Sequence, residues 1–204
     1  MATTPTVYVV DDDVSIRESL SSLIRAEGMA VEVFASPLDF LQLERLKDLS
    51  CIVLDVRMPG LDGLSLQDAL AERGWRAPII FISGHGDVPD AVRAMKAGAI
   101  DFLKKPFEGF ALLHAINTAL ARVSSEVERK LAQEELQARY AQLTPREKEV
   151  LQMAAQGKAN KVIAMDLGVS ESTIKVHRHN VMSKMRFRSL PELALAVQRL
   201  RQGN

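Results

Sequence analysis

The chain has 204 residues, of which 47% are hydrophobic and 25% charged, and a formal net charge of zero. At about 100–200 residues per domain, this allows one large domain or two small ones with real cores; it excludes disordered, collagen-like and disulfide-scaffold chains. Cys51 is the single cysteine, so an intrachain disulfide and a Cys-based zinc finger are excluded as well. No apolar run approaches the ~20 residues that span a bilayer. Residues 1–6 lack the basic and apolar regions of a secretory signal, so a cytoplasmic protein with no membrane partner is expected.

The zero net charge hides an asymmetry. Residues 1–120 carry 17 Asp and Glu against 11 Lys and Arg, residues 121–140 carry four of each, and residues 141–204 carry 5 against 11. An acidic front and a basic back suggest two modules, one suited to a divalent cation and the other to nucleic acid.

Along the front half, short apolar runs alternate with helical periods. Thr6–Val10 reads as a strand, followed by a helix near Val14–Glu27. Ala30–Phe34 is a second strand, and Ser36 caps a helix reaching about Leu46. Cys51–Leu54 is a third strand, with a helix over Leu64–Arg73. Ile79–Ile82 is a fourth, followed by a helix capped by Asp87 and ended by Gly98. Ile100–Leu103 is a fifth, and Pro106 precedes the last helix. Five largely apolar strands alternating with helices predict an α/β fold: a doubly wound, five-stranded parallel sheet covered on both faces. From Glu108 to Leu143 the chain has no proline and only Gly109, so the last helix is expected to continue through Ser124–Tyr140 as a connecting helix. Its apolar positions Ile116, Leu120, Val123, Val127 and Leu131 suit a packed or paired stripe; a solvated linker is the alternative.

Four helices are expected in the tail. Thr144 caps the first, with Pro145 at its first position, and Gly157 ends it. Asn160–Leu167 is the second. After the turn Gly168-Val-Ser, Ser170 caps the third, Glu171–Met185. The fourth runs from about Ser189 to Arg201; its stripe of Leu190, Leu193, Ala194, Val197 and Leu200 either closes a small core or pairs two domains. The boundaries are 1–120 for the acidic module, 121–142 for the helical linker and 143–204 for the basic module.

In a doubly wound sheet, ligands bind beyond the carboxyl ends of the strands. Here those ends carry Asp11, Asp12 and Asp13, then Asp55, Ser83, and Lys104-Lys105-Pro106. Crowded carboxylates repel unless a cation offsets them. Mg²⁺ suits them, because it takes oxygen ligands and keeps sites for waters and phosphate oxygens. An aspartate there can be a nucleophile toward a phosphoryl group, whose oxygens a nearby ammonium and hydroxyl then hold. Taken singly, Asp11 to Asp13 are also a helix N-cap cluster, Phe102 a core aromatic and Lys105 a surface lysine. Cys51 reads as inert core, and His85 as a loop residue.

Residues 5–120 resemble the receiver domain of two-component response regulators. The resemblance is carried by Val-Val-Asp-Asp-Asp at 9–13, Leu-Asp-Val-Arg-Met-Pro-Gly-Leu-Asp-Gly at 54–63, Ile-Ser-Gly-His-Gly-Asp-Val-Pro at 82–89, and the stretch from Ala94 to Phe107. It implies the flavodoxin-like form of the sheet and phosphorylation of Asp55 by a sensor histidine kinase. It implies Mg²⁺ held by Asp11 (through water), Asp12, Asp55 and the Arg57 backbone carbonyl. Ser83 stands where the family has a switching hydroxyl and Phe102 where it has a switching aromatic. Lys105 would bind the phosphate, with a cis Lys105–Pro106 bond.

The tail reads as a helix-turn-helix. At about 100° per residue, Ile174, Val181 and Met185 share one face of the third helix, while Ser172, Lys175, Val176, His179 and Ser183 share the opposite one. The latter suits a major groove, with Arg178, Lys184, Arg186 and Arg188 around it for phosphates. His177 and His179, two apart, point to different sides and do not share a metal. Residues 143–201 resemble the LuxR-type DNA-binding domain in its NarL/FixJ-like form, through 143–151 (Leu-Thr-Pro-Arg-Glu-Lys-Glu-Val-Leu), Gly157, 160–164 (Asn-Lys-Val-Ile-Ala) and 167–177 (Leu-Gly-Val-Ser-Glu-Ser-Thr-Ile-Lys-Val-His). The resemblance implies that Lys175, Val176 and His179 face bases and that Ser170, Thr173 and Lys184 hold the DNA backbone. His179 departs from the Lys or Arg often found there.

The reading is a transcription factor, not an enzyme, controlled by phosphorylation. Its expected partners are a sensor histidine kinase, double-stranded promoter DNA and, when phosphorylated, a second copy; RNA polymerase is left open as another. Two other readings stand beside it. Asp11-x-Asp13-x-Ser15 faintly resembles a phosphatase motif, which would make Asp11 the nucleophile and show as steady turnover of a phosphate ester. A receiver used only for protein–protein contact would instead bind DNA indifferently to phosphodonor.

Overall fold

The computed structural model describes residues 4–84 and 88–202. They fall into two compact units, Met1–Val127 and Glu128–Asn204.

In the first unit, strands β1 (Thr6–Val10), β2 (Ala30–Phe34), β3 (Ser50–Asp55), β4 (Ile79–Ser83) and β5 (Asp101–Lys104) form one parallel sheet in the order β2-β1-β3-β4-β5. The alternation of side chains across a strand sorts the apolar residues into two cores. Val7, Val9, Cys51, Val53, Ile80 and Ile82 face helices α1 (Val14–Ala26) and α5 (Gly109–Ala141), which contribute Leu20, Ile24, Leu112 and Ile116. Tyr8, Val10, Ile52, Leu54 and Phe81 face α2 (Pro37–Phe40), α3 (Gly63–Glu72) and α4 (Val88–Lys96). Both faces of β1, β3 and β4 are therefore dry, which is why their sequences are unbroken apolar runs. Cys51 is fully buried, and burial pushes its thiol up to about 12, so it is unreactive core.

The expected helix from Ser36 to Leu46 is only one turn long. Ser36 caps it as expected, accepting from the Asp39 N–H at 3.1 Å, but α2 ends at Phe40. Backbone groups beyond it go to side chains instead. The Leu41 carbonyl accepts from Arg73 Nη1 at 2.5 Å, the Lys47 N–H donates to the Tyr8 hydroxyl at 3.1 Å, and the Lys47 carbonyl accepts from Ser50 Oγ at 2.6 Å. These groups are no longer available for i to i+4 bonds. The fifth strand lies one residue later than its apolar run, because Asp101 pairs with Ile80 and Lys104 with Ser83. Asp87 and His85 lie outside the described residues.

Helix α5 is one continuous helix of 33 residues. Ile116 and Leu120 of the expected stripe are buried in the first unit. Leu131 is 59% exposed; Leu136, five residues on, is buried in the core of the second unit. The boundary between units, after Val127, thus divides residues 121–142 between the two.

The second unit adds α6 (Pro145–Ala155), α7 (Asn160–Leu167), α8 (Glu171–Met185) and α9 (Leu190–Gln202). Its core gathers Val150, Leu151, Ile163, Ile174, Val181, Met185, Leu193 and Val197. Thr144 and Glu147 form a reciprocal capping box at the start of α6, with Pro145 in the first turn. Gly168 ends α7 at φ 66°, a conformation that suits glycine. Ser170 caps α8 by accepting from the Thr173 N–H at 3.1 Å. Leu193 and Val197 on α9 close this core, together with Ala196. The side chain of Leu190 lies outside the described residues.

Candidate functional site

Parallel strands bring their carboxyl ends to one edge, and the sheet order places β3 between β1 and β4. Asp11 follows β1, Asp55 ends β3, Ser83 ends β4, and Lys105 follows β5. One ligand oxygen from each of Asp11, Asp12 and Asp55 lies within 4.8 Å of the others. The Lys105 ammonium reaches Asp11 Oδ2 at 2.7 Å and Asp55 Oδ1 at 3.3 Å. Asp11 is fully buried and anchored: its Oδ1 accepts from the Asp13 N–H at 2.9 Å, and its carbonyl accepts from Arg17 Nη1 at 2.7 Å. Asp12 is exposed. Asp13 caps α1, accepting from the Ser15 N–H at 2.8 Å. One Asp of the triplet is thus a cap, and the other two join Asp55.

Charge at this edge is not balanced. Burial pushes the Asp55 carboxyl up to about 6; Asp11 and Asp12 add to the rise and Lys105 opposes it. Burial also lowers the Lys105 ammonium, but its bonds to Asp11 and Asp55 outweigh this and hold it above its ordinary value. Three carboxylates against one ammonium leave negative charge in excess. That donor set, all oxygen and open to solvent at Asp12, is the kind that holds Mg²⁺.

Ser83 is buried, and its carbonyl accepts from the Lys105 N–H at 2.7 Å, so the end of β4 positions the start of the Lys105 loop. The Lys105–Pro106 bond is cis. Phe102 is half-buried and stacked on Phe81, with ring centroids 6.2 Å apart and planes at 30°. The Arg57 side chain lies 4.0 Å from Asp90.

In the second unit, the rotational reading of α8 holds residue by residue. Ile174, Val181 and Met185 are buried, whereas Ser172, Lys175, Val176, His179 and Ser183 are all exposed. Val176 is 58% exposed, an apolar group left facing water on a helix otherwise well buried behind it. His177 is half-buried and His179 exposed, on different sides. Thr173 is half-buried, its hydroxyl 2.8 Å from that of Ser170. Arg178 Nη1 donates to Asn160 Oδ1 on α7 at 2.7 Å.

Lys184 departs from the expected outward cation. Its ammonium donates at 2.7 Å to Glu147 Oε2, on a side chain only 4% exposed. Burial would raise the Glu147 carboxyl, but Lys184 and the Thr144 N–H outweigh it and hold it below the usual carboxylate range. The capping-box spacing Thr144-x-x-Glu147 was legible in the sequence. Its lysine, 37 residues on, was not. A buried carboxylate that loses its cation is costly. Lys184→Met should therefore lower the stability of this unit by about 1–2 kcal/mol, the figure for a buried pair discounted for the solvent at Lys184. Glu147→Gln should cost less, since the amide can still accept from Thr144 and Lys184. Denaturant unfolding of both variants checks the order. The pair's contribution is full above the ordinary glutamate range and is lost as pH falls through the depressed folded value.

Family models match the chain twice: the response regulator receiver domain over residues 7–117, and the luxR family of bacterial regulatory proteins over residues 141–197. The chain is 48% identical to the response regulator protein TmoT of Ectopseudomonas mendocina, over 97% of this chain and 90% of that one. It is 47% identical to the transcriptional regulatory protein FixJ of Azorhizobium caulinodans, over 92% and 89%. A solved structure of the response regulator StyR is 47% identical and covers 96% of this chain and 99% of its own, with a TM-score of 0.83. Among the described residues no helix is long and apolar enough to cross a membrane. A receiver implies a kinase as partner and a LuxR-type module implies DNA. Both family models match this chain, and its likeness to these relatives runs over nearly their full length, so the chain belongs to the NarL/FixJ family of two-component response regulators, transcription factors rather than enzymes.

Proposed function

We propose that Asp55 is the phosphoacceptor and that its phosphorylation, by a sensor histidine kinase in the cytoplasm, controls pairing of two chains on promoter DNA. The observation that carries this reading is the Asp55 carboxylate at the end of β3, 3.3 Å from the Lys105 ammonium and grouped with Asp11 and Asp12.

An Asp55 oxygen attacks the phosphorus of a phosphohistidine. The new O–P bond forms as the N–P bond breaks, and the imidazole leaves with a proton. A divalent cation such as Mg²⁺, when bound by Asp11 (through water), Asp12, Asp55 and the Arg57 carbonyl, would supply positive charge against the phosphoryl oxygens. Lys105 turns from the carboxylates toward the new phosphate oxygens and pairs with one of them. The Ser83 hydroxyl hydrogen-bonds another. Phe102, half-buried against Phe81, turns inward behind Ser83. This changes the outer surface of α4, where Val92 and Met95 stand exposed at 45% and 46%, and two receivers pair there. Light scattering with Mg²⁺ and beryllium fluoride, a mimic of aspartyl phosphate, tests the pairing. The mass should double, and should not do so in Asp55→Asn; a mass that stays at one chain overturns it.

On DNA, α8 enters the major groove with Lys175, Val176 and His179 toward base edges, and Ser170 and Thr173 beside the backbone. Paired chains then bind half-sites about one helical turn apart and present themselves to RNA polymerase. Lys175→Ala should relax base preference at one position by about 1–3 kcal/mol while leaving phosphorylation intact. Binding-site selection from a random pool checks it, and an unchanged preference contradicts it.

A further inference from the structure

Four cations of this unit are held in two ways. Lys158, Lys175 and Lys184 each face a carboxylate: Asp166 at 2.7 Å, Glu171 at 3.8 Å and Glu147 at 2.7 Å. Arg178 is held by the side-chain amide of Asn160, at 2.7 Å. A guanidinium has only donors, so the amide must present its oxygen, and the bond is chemically one-way. The amide is neutral. It fixes the direction of the guanidinium and leaves the positive charge whole, whereas a carboxylate would cancel it. The other N–H groups of the fork stay available for a second acceptor.

The position of Arg178 gives that charge a use. At about 100° per residue it stands about 40° from buried Ile174 and about 60° from exposed Lys175 on α8, between the buried face and the outer one. The flanks of a helix seated in the major groove meet the phosphate walls. Half-buried and bonded to Asn160, it has less rotamer freedom to lose on binding than an exposed arginine.

We infer that Asn160 is a positioning residue for DNA binding: it orients Arg178 toward a backbone phosphate without neutralising it. The inference rests on α8 being the helix that enters the groove. Asn160, the first residue of α7, does not itself need to touch DNA.

The experiment is a double-mutant cycle on the full-length chain, with Asn160→Asp, Arg178→Ala and the pair. The probe is a duplex selected by the wild-type chain from a random-sequence pool, and binding is followed over a range of salt. Asp keeps the shape and the bond to Arg178 but makes it an ion pair, so thermal stability should hold. Each single change should lower the slope of log affinity against log salt by about one per bound domain, the loss of one phosphate contact. In the Arg178→Ala background, Asn160→Asp should have little further effect. A purely structural bond predicts an unchanged slope in Asn160→Asp, and that result overturns the inference. Equal losses from Asn160→Asp in both backgrounds also overturn it, since the new charge would then act on its own. Failure of the wild-type chain to select any duplex would instead strike the reading of α8.

Discussion

Replacing Asp55 with Asn is expected to abolish phosphoryl capture and, in the same variant, to make the receiver more stable at neutral pH. The two effects share a cause. An amide has no nucleophilic oxygen anion, so no acyl phosphate forms. The native carboxyl, in turn, is held in a place that disfavours its charge, with burial raising it from 3.8 to about 6 against the pull of Lys105. A group whose folded value lies above its unfolded value takes up protons on folding, so its charge opposes folding. The cost is absent below about 3.8, grows between 3.8 and 6 and is complete above about 6. That window runs opposite to the usual carboxylate. The shift corresponds to at most about 3 kcal/mol, and solvent at the mouth of the site reduces this to about 1–2 kcal/mol. Asp55→Asn should therefore melt higher than the native chain at pH 7.5, with the gap closing toward pH 4. Added Mg²⁺ should raise the native chain more than the variant, because binding stabilises the state that holds the ion. A variant that melts lower at pH 7.5, or a gap that widens as pH falls, contradicts this account of the site.

Gly63→Ala should have the largest effect on stability. Gly63 opens α3, and a methyl there would lie 2.2 Å from the Asp55 carbonyl oxygen and 3.1 Å from its carbon. Those are backbone atoms of β3, which is paired with β1 on one side and β4 on the other and cannot yield. The Gly63 N–H also donates to the Val56 carbonyl at 2.9 Å, which holds the loop tight. The start of α3 must move outward instead, breaking that bond and lifting Leu64 and Leu66 from the second core. A loss of about 3 kcal/mol or more is expected, the range of overpacking plus a lost backbone bond. Denaturant unfolding of the receiver measures it. A loss under about 1 kcal/mol would mean that the loop yields at little cost.

Much of this site was legible in the sequence, for a physical reason. Parallel strands all deliver their carboxyl ends to one edge, so a polar residue after each apolar run is placed near the others without further information. Asp11, Asp55, Ser83 and Lys105 needed only that. The outer face of α8 was legible for a similar reason: a helix longer than three turns fixes the angle of each residue, and Ile174, Val181 and Met185 gave the inward direction. What failed to show were features made by partners far along the chain. Helix α2 stops short where Arg73, 32 residues away, takes the Leu41 carbonyl, and the Lys47 N–H beyond it goes to Tyr8, 39 residues away. Lys184 reads as an outward cation until Glu147 is seen beneath it. Leu136 breaks the stripe that began with Ile116 because α5 packs into two cores in turn, and a single periodicity cannot describe both. Asn160 was legible as part of the 160–164 stretch and as the start of a helix, but not as the partner of Arg178, since that bond spans 18 residues.

The claim on which the rest depends is that Asp55 takes the phosphoryl group. It is tested most directly by treating the full-length chain with a small phosphodonor and Mg²⁺, reducing it with borohydride and mapping the peptides by mass spectrometry. An aspartyl phosphate is reduced to homoserine, so the account expects homoserine at position 55 and at no other aspartate. Homoserine at position 11, 12 or 13, or a chain left unaltered by the treatment, would contradict it.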